Sequence, residues 1–319
     1  MKRIFVYEYL SGGGLIAGAE GTGDDLLPMG LAMRDAITAD LLRLEDYDVS
    51  VATCALATAV PAPSTAVKPR KGESALDFVA RHADTHPLVW VVAPETDGLL
   101  AQFQRSVDPA RWLGCDGPAI RLASGKRSTL MQLATAGVTT PLAFEHEPEI
   151  TRWVVKPDDG AGAIGTRLHA SLDVALEDWS QRSRAGRPMV IEPWVEGEAL
   201  SLSLMCSASR TELLSINRQQ LAIDAEGMLS YQGVEVNVLP LTDPRGLTLN
   251  ALATRVGRSV PGLCGFVGID LVWHAQRGPV LIEINPRVTC AYVGLSQALG
   301  RNLAAEVVAT RGRKPHRHV

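Results

Sequence analysis

Cysteine is scarce and scattered. Cys54, Cys115, Cys206, Cys264 and Cys290 are the only five in 319 residues, and no two stand close enough for a CxxC zinc or redox pair. An odd, dispersed set in a chain this long points to reduced thiols and a cytosolic setting. Long apolar runs are absent too. None approaches the roughly 20 residues that span a bilayer, and Glu8 interrupts the apolar stretch behind Lys2 and Arg3, which argues against a signal peptide. Nor is there an excess of positive charge. A net charge of −4 and an isoelectric point of about 6.0 offer no field that would draw the chain to nucleic acid or an anionic membrane. The seven histidines have no metal-like spacing, and no serine or cysteine nucleophile elbow occurs, so covalent catalysis is not assigned. No internal repeat or low-complexity segment appears. The expectation is a soluble, cytoplasmic protein with neither nucleic-acid nor membrane partners. The one basic run, Arg311, Arg313, Lys314 and Arg317 among His316 and His318, reads as a solvated tail over 312–319.

What is present is an average globular composition, 46% hydrophobic and 21% charged, in a chain long enough for two or three packed lobes. The first third alternates strand and helix signals: a strand at Ile4 to Tyr7, a helix from Met29 to Leu44 with Ile37, Leu41 and Leu44 on one face, and a strand at Val49 to Ala52. Pro61 to Gly72 reads as a loop, then Ala75, Leu76, Val79 and Ala80 mark a helix. The run Leu88-Val89-Trp90-Val91-Val92 is what a parallel strand covered on both faces requires. This order predicts a doubly wound, Rossmann-like α/β domain over 1–118.

Ser124 is the expected N-cap of a helix whose first turn holds Lys126 and which stops at Gly137. A strand at Trp153 to Lys156, a glycine-rich loop, a helix near Asp173 to Arg184 and a strand ending at Glu192 form an α+β unit over 119–195. Over 196–311 the strands are Ala199 to Cys206, Glu212 to Ile216, Val234 to Leu239, Phe266 to Trp273 and Val280 to Ile284. A helix capped by Asp243 with Pro244 at its first position interrupts them, and a last helix runs to about Thr310.

Three segments carry chemistry. In Val154-Val155-Lys156-Pro157-Asp158-Asp159-Gly160-Ala161-Gly162-Ala163-Ile164-Gly165 a lysine ends a strand and three glycines follow. Glycines let backbone N–H groups converge on anionic oxygen, and the lysine adds a full charge. The lysine precedes the glycines and no GKS or GKT follows, so this is not a P-loop; taken alone it equally suits a mobile surface turn. In Glu192-Pro193-Trp194-Val195-Glu196-Gly197-Glu198 a strand runs into an acidic linker. Its backbone at Trp194 and Val195 is free to meet a planar heterocycle, and Glu198 is able to accept from ribose hydroxyls; an ordinary acidic connection between lobes is the plainer reading. The third is the pair of apolar strands around Asp270 and around Glu283-Ile284-Asn285-Pro286-Arg287. Glu283 and Asn285, two apart, share a face that Asp270 on an antiparallel partner can meet. Three oxygen donors suit a hard cation such as Mg2+; a buried polar network is the alternative, with Arg287 as the only adjacent cation.

A helix lysine, a strand lysine with a glycine loop, an E-x-x-x-x-G-E linker, then Asp, Glu-x-Asn and Arg: in that order the chain resembles the ATP-grasp superfamily along essentially its whole length. The resemblance implies an ATP-grasp fold with a pre-ATP-grasp domain in front. It implies ATP and Mg2+ as cofactors, with Mn2+ able to substitute. Lys126 and Lys156 would hold the α- and β-phosphates, and Gly160, Gly162 and Gly165 the γ-phosphate. Glu192, Trp194 and Val195 would take the adenine edge, and Glu198 the ribose. Asp270, Glu283 and Asn285 would hold the metal, and Arg287 the transferring phosphoryl or acyl phosphate.

More narrowly, Val6-Tyr7-Glu8-Tyr9-Leu10-Ser11-Gly12-Gly13-Gly14, Ala93-Pro94-Glu95-Thr96-Asp97 and Ser215-Ile216-Asn217-Arg218-Gln219 resemble the group containing the tyramine–glutamate ligase of methanofuran biosynthesis. That implies an amide between a glutamate γ-carboxylate and a primary amine, so the partners are small carboxylates and amines; ligases of this kind often form homodimers. Glu8 and Glu95, at carboxyl ends of parallel strands, are candidates for a substrate ammonium, and Arg218 for a substrate carboxylate or phosphate. Each also reads as a plain loop or surface charge. Two rival readings are a carboxylase-type activation of bicarbonate and a non-catalytic ATP-binding regulatory protein.

Overall fold

β1 (Lys2–Glu8) is apolar on both faces because both faces are covered. Ile4 and Val6 pack against Met33, Ile37 and Leu41 of α1 (Leu27–Leu42), while Phe5 and Tyr7 meet Phe78, Leu100 and Phe103 on the other side. The computed structural model describes residues 1–14, 26–160 and 162–311, so the basic tail from 312 lies outside the described residues. The chain continues through β2 (Tyr47–Ala52), β3 (Thr65–Val67), α2 (Ala75–Ala83), β4 (Leu88–Val92), α3 (Leu99–Ser106), β5 (Trp112–Leu113) and α4 (Gly117–Ser124). The five strands form one parallel sheet in the order β3-β2-β1-β4-β5. Glu8 and Glu95 lie at the carboxyl ends of its two central strands.

After α5 (Lys126–Thr135), β6 (Trp153–Pro157), β7 (Arg167–His169), α6 (Leu172–Arg184) and β8 (Met189–Pro193) make a small antiparallel sheet, β7-β6-β8. Its own core joins Trp153, Val155, Ala175 and Met189. β9 (Glu198–Ser207), β10 (Arg210–Ile223), β11 (Leu229–Glu235), α7 (Pro244–Ser259), β12 (Gly265–His274) and β13 (Gly278–Asn285) follow. Their antiparallel sheet runs β11-β10-β9-β12-β13. One face carries Leu200, Leu202, Leu204, Val267, Ile269 and Leu271 into the core beneath Ile120, Leu130 and Val256. Of the residues that alternate with them, Ser201, Ser203, Asn217 and Asp270 make one end of the opposite face polar, while Met205 and Phe266 pack with Tyr292 at the other. α8 (Leu295–Leu299) and α9 (Leu303–Ala309) return to the first domain, where Tyr292 donates to Asp40 of α1 at 2.7 Å.

The architecture is mixed α/β, a parallel-sheet domain followed by two antiparallel sheets, as expected. Several local expectations are corrected. Ser124 does not cap α5: it ends α4, where its hydroxyl bonds back to Ile120, and Gly125 occupies the cap position. The Pro61 to Gly72 loop contains the short edge strand β3. The strand expected at Val234 to Leu239 lies earlier, at Leu229–Glu235. The single last helix is broken into α8 and α9 by Gly300, whose φ of 62° ends the first of them. Among the described residues no helix is long and apolar enough to cross a membrane.

Candidate active site

α5 begins without a side-chain cap of its own, and the glycine-rich segment after β6 supplies one. Asp158 accepts the Lys126 N–H on its carbonyl at 2.9 Å and the Arg127 N–H on Oδ1 at 2.9 Å. Free N–H groups at a helix start require such partners. The capping brings Lys126 over the loop. Its ammonium donates to the Gly160 carbonyl at 3.1 Å and lies 3.4 Å from Glu283 Oε2. Burial pulls the pKa of Lys126 down, but Glu283 and then Glu95 outweigh it and the net shift is upward.

Lys156 on β6 reaches Glu192 on β8, Nζ to Oε2 2.8 Å, with side-chain exposures of only 6% and 2%. Among the described residues, buried Glu192 Oε1 has no hydrogen-bond partner, and neither has the Trp194 indole N–H. Val195 is buried against Phe144 and Val280. Gly197 follows with φ 149°, and a Cβ there would sit 2.3 Å from the Trp273 carbonyl. Only glycine lets the linker lie this close to β12. Glu198 then accepts from Arg218 at 2.9 Å and Arg245 at 2.6 Å, and Arg245 stacks 4.6 Å over Trp273. Burial pushes Glu198 up, but the two arginines reverse this and hold its carboxyl below the usual range.

β12 and β13 pair so that Asp270 stands opposite Glu283 and Gly268 opposite Asn285. Asn285 Nδ2 donates to Asp270 Oδ2 at 3.2 Å. Burial first, and the charge of Glu283 second, push the Asp270 carboxyl well up. Glu283 goes the other way, because Lys126 and Lys156 more than offset its burial. The cations beside this trio are therefore the two lysines. Arg287, expected to be the adjacent one, turns to the first domain and meets Glu95 in a buried two-pronged pair, Nε to Oε1 and Nη2 to Oε2 each 3.0 Å. Among the described residues there is no cluster of three His, Cys, Asp or Glu side chains with metal-holding geometry. The trio is two carboxylates and an amide, all oxygen donors.

Residues 123–291 match the ATP-grasp domain family, more than half of the chain, and residues 47–120 match the pre ATP-grasp 3 domain. This chain belongs to the ATP-grasp family. Its fold is similar to that of an ATP-grasp superfamily protein from Archaeoglobus fulgidus (TM-score 0.69, 20% identity, 97% of this chain and 88% of that one). It is also similar to VanG D-Ala:D-Ser ligase from Enterococcus faecalis (0.67, 12%, 97% and 99%) and to an L-amino acid ligase from Bacillus licheniformis (0.67, 16%, 97% and 73%). No curated protein matches.

In this ATP-grasp chain one contiguous cluster brings together Lys126, Lys156, Glu192, Asp270 and Glu283 with Asn285, and the Glu95–Arg287 pair borders it. Gly160 belongs to the loop that Lys126 holds, and Gly162 and Gly165 continue it with φ of 69° and 68°. Arg218 stands apart, half-exposed between Glu198 and Glu235. Glu8 is buried at the end of β1, accepts from the N–H groups of Leu10 (3.1 Å) and Ser11 (2.8 Å), and is pushed up chiefly by burial. Sequence reasoning missed Asp158 as the cap, and it missed Tyr231, whose hydroxyl lies beside the Cys290 thiol near Asp270. No local signal marks either residue, because both act through chain segments far from their own.

Proposed function

We propose that this chain is an ATP-dependent, ADP-forming carboxylate–amine ligase. The observation that carries the reading is the convergence of Lys126 from α5 and Lys156 from β6 on Glu283, which stands opposite Asp270 on the paired strand. Two buried cations facing two carboxylates suit a polyanion and its divalent counter-ion together. The donor set fits magnesium, with manganese as a substitute: Asp270, Glu283 and Asn285 offer oxygen and no sulfur or imidazole. When bound, the ion supplies Lewis-acid charge to phosphate oxygens.

The hinge fits adenine. Glu192 Oε1 is a buried acceptor without a donor among the described residues, and such a group calls for an N–H partner. An exocyclic amino group satisfies it, whereas the carbonyl of guanine would oppose it. Lys126 and Lys156 would hold the phosphates, the backbone around Gly160 would approach the terminal one, and Arg287 would meet charge developing on the transferred group. In the proposed chemistry a substrate carboxylate oxygen attacks the γ-phosphorus and ADP leaves with the bond's electron pair. A neutral amine then attacks the acyl carbon, phosphate departs, and the amine loses a proton.

The finer reading is a glutamate γ-carboxylate joined to a primary amine such as tyramine. Its support is the resemblance of the segments around Glu8, Glu95 and Asn217. The test is an ADP-release screen of amino acids crossed with primary amines, with bicarbonate as a separate arm and mass detection of product. Release requiring one acid and one amine supports the ligase. Release driven by bicarbonate alone, or AMP with pyrophosphate in place of ADP, overturns it.

A further inference from the structure

The single turn of 3-10 helix at Thr96–Gly98, between β4 and α3, and the Glu95 that precedes it touch two parts of the site. Immediately before it, Glu95 takes the Arg287 guanidinium with both carboxylate oxygens. Within it, the Asp97 N–H donates to Asp159 Oδ2 at 2.7 Å across 62 residues of chain. A Cβ on Gly160 would lie 3.5 Å from the Thr96 hydroxyl. The glycine segment is gripped from its other side by α5, through Asp158 at the helix start and the Lys126 ammonium on Gly160. The Asp158–Gly160 limb is thus clamped between two units of the fold.

The backbone of the turn is unusual. Asp97 has φ 54° and ψ 24°, and Gly98 follows at φ 65° and ψ 23°. Two successive left-handed residues are costly for L-amino acids other than glycine, and aspartate tolerates the conformation better than most. Without them the chain would not turn between Glu95 and α3 while presenting the Asp97 N–H to the small sheet.

We propose that Glu95 and Asp97 are positioning residues of one interdomain latch, Glu95 setting Arg287 and the Asp97 N–H setting the glycine segment through Asp159. Displacing Arg287 from Glu95 loosens the Asp159–Gly160 limb, and loosening that limb frees Arg287, because coupling between two contacts of one element is reciprocal. The functional consequence rests on the ligase reading: an anionic substrate that takes Arg287 from Glu95 would alter nucleotide affinity at the far end of the turn. The latch itself does not depend on that reading.

The test is hydrogen exchange on the full-length, nucleotide-free protein. In Asp159→Ala the Asp97 amide should exchange roughly tenfold faster or more, and the stretch 285–290 should speed up with it. Asp159→Asn, which keeps an acceptor oxygen, should restore most of the protection. Glu95→Gln, which alters the side chain that bonds Arg287, should speed exchange over 157–160. If that variant fails to fold, the neutral double substitution Glu95→Gln with Arg287→Gln serves the same arm. An Asp97 amide that exchanges equally in the wild type and Asp159→Ala overturns the contact, and a glycine segment unmoved by loss of the Glu95 charge overturns the coupling. Absence of ADP release with every substrate pair would sink the ligase reading and leave these exchange results standing.

Discussion

Asp270 and Glu283 face each other across paired strands as two buried carboxylates, one pushed up by burial and then by its neighbour, the other held down, against its burial, by two lysines. The lysines offset the charge of Glu283, and an ionised Asp270 beside it stays unfavourable until a further cation joins the pair. Asp270→Asn keeps the shape and the bond from Asn285 while removing one negative charge. In the absence of divalent ions the variant should be more stable than the wild type by about 1 kcal/mol, read as a higher melting temperature. Its magnesium-dependent ADP release should fall on the order of 10²-fold. A lower melting temperature would mean that the carboxylate serves the fold and not a ligand.

The Lys156–Glu192 pair separates stability from chemistry. Removing one member leaves the other charge buried alone, so Lys156→Ala should cost about 3–5 kcal/mol in urea denaturation as well as activity. Lys156→Met with Glu192→Gln removes both charges and should recover most of that stability while turnover stays low. Recovery of turnover in the double variant would show that the lysine is structural.

Acid should destabilise the first domain through His82. Its ring stacks on Phe5 at 4.6 Å between centroids, and burial, then Arg81 and His86, lower its pKa to about 4. The unfolded chain binds the proton near the ordinary value of about 6.5, so it holds more protons than the folded one between those values. Stability is therefore complete above pH 6.5 and declines as the pH falls toward 4. The urea midpoint of His82→Phe should change less over this interval than that of the wild type. Equal slopes would show that other groups govern the acid limb.

The fold was legible where the signal is local. Leu88–Val92 is apolar on every position, and β4 is buried on both faces. Asp243 followed by Pro244 places the start of α7 to the residue, with the Asp243 side chain accepting from Arg245 N–H at 2.8 Å. Glu283 and Asn285 share a face because a strand repeats every two residues. The α5 cap was not legible, since Ser124 looks like a cap and the group that takes the role, Asp158, lies 31 residues beyond the Arg127 N–H that it accepts. β3 and β7, each three residues long, are too short to show periodicity. The Glu95–Arg287 pair spans 192 residues, so the sequence places Arg287 beside the trio while the tertiary structure turns it away.

Gly197 offers the most local test of the hinge. Its φ of 149° is disfavoured for an L side chain, and a Cβ would press on a backbone carbonyl of β12 that cannot swing aside as a side-chain tip would. Gly197→Ala should therefore cost on the order of 1–3 kcal/mol or displace the linker. A displaced linker moves Trp194, Val195 and Glu198 together relative to the Lys156–Glu192 pair. If these residues hold the base and ribose, binding is lost equally in ground and transition states, so KM for ATP should rise roughly tenfold while kcat changes little. A fall in kcat at unchanged KM would place the linker's role in the phosphoryl-transfer step. Unchanged stability and kinetics would remove the linker from the nucleotide site.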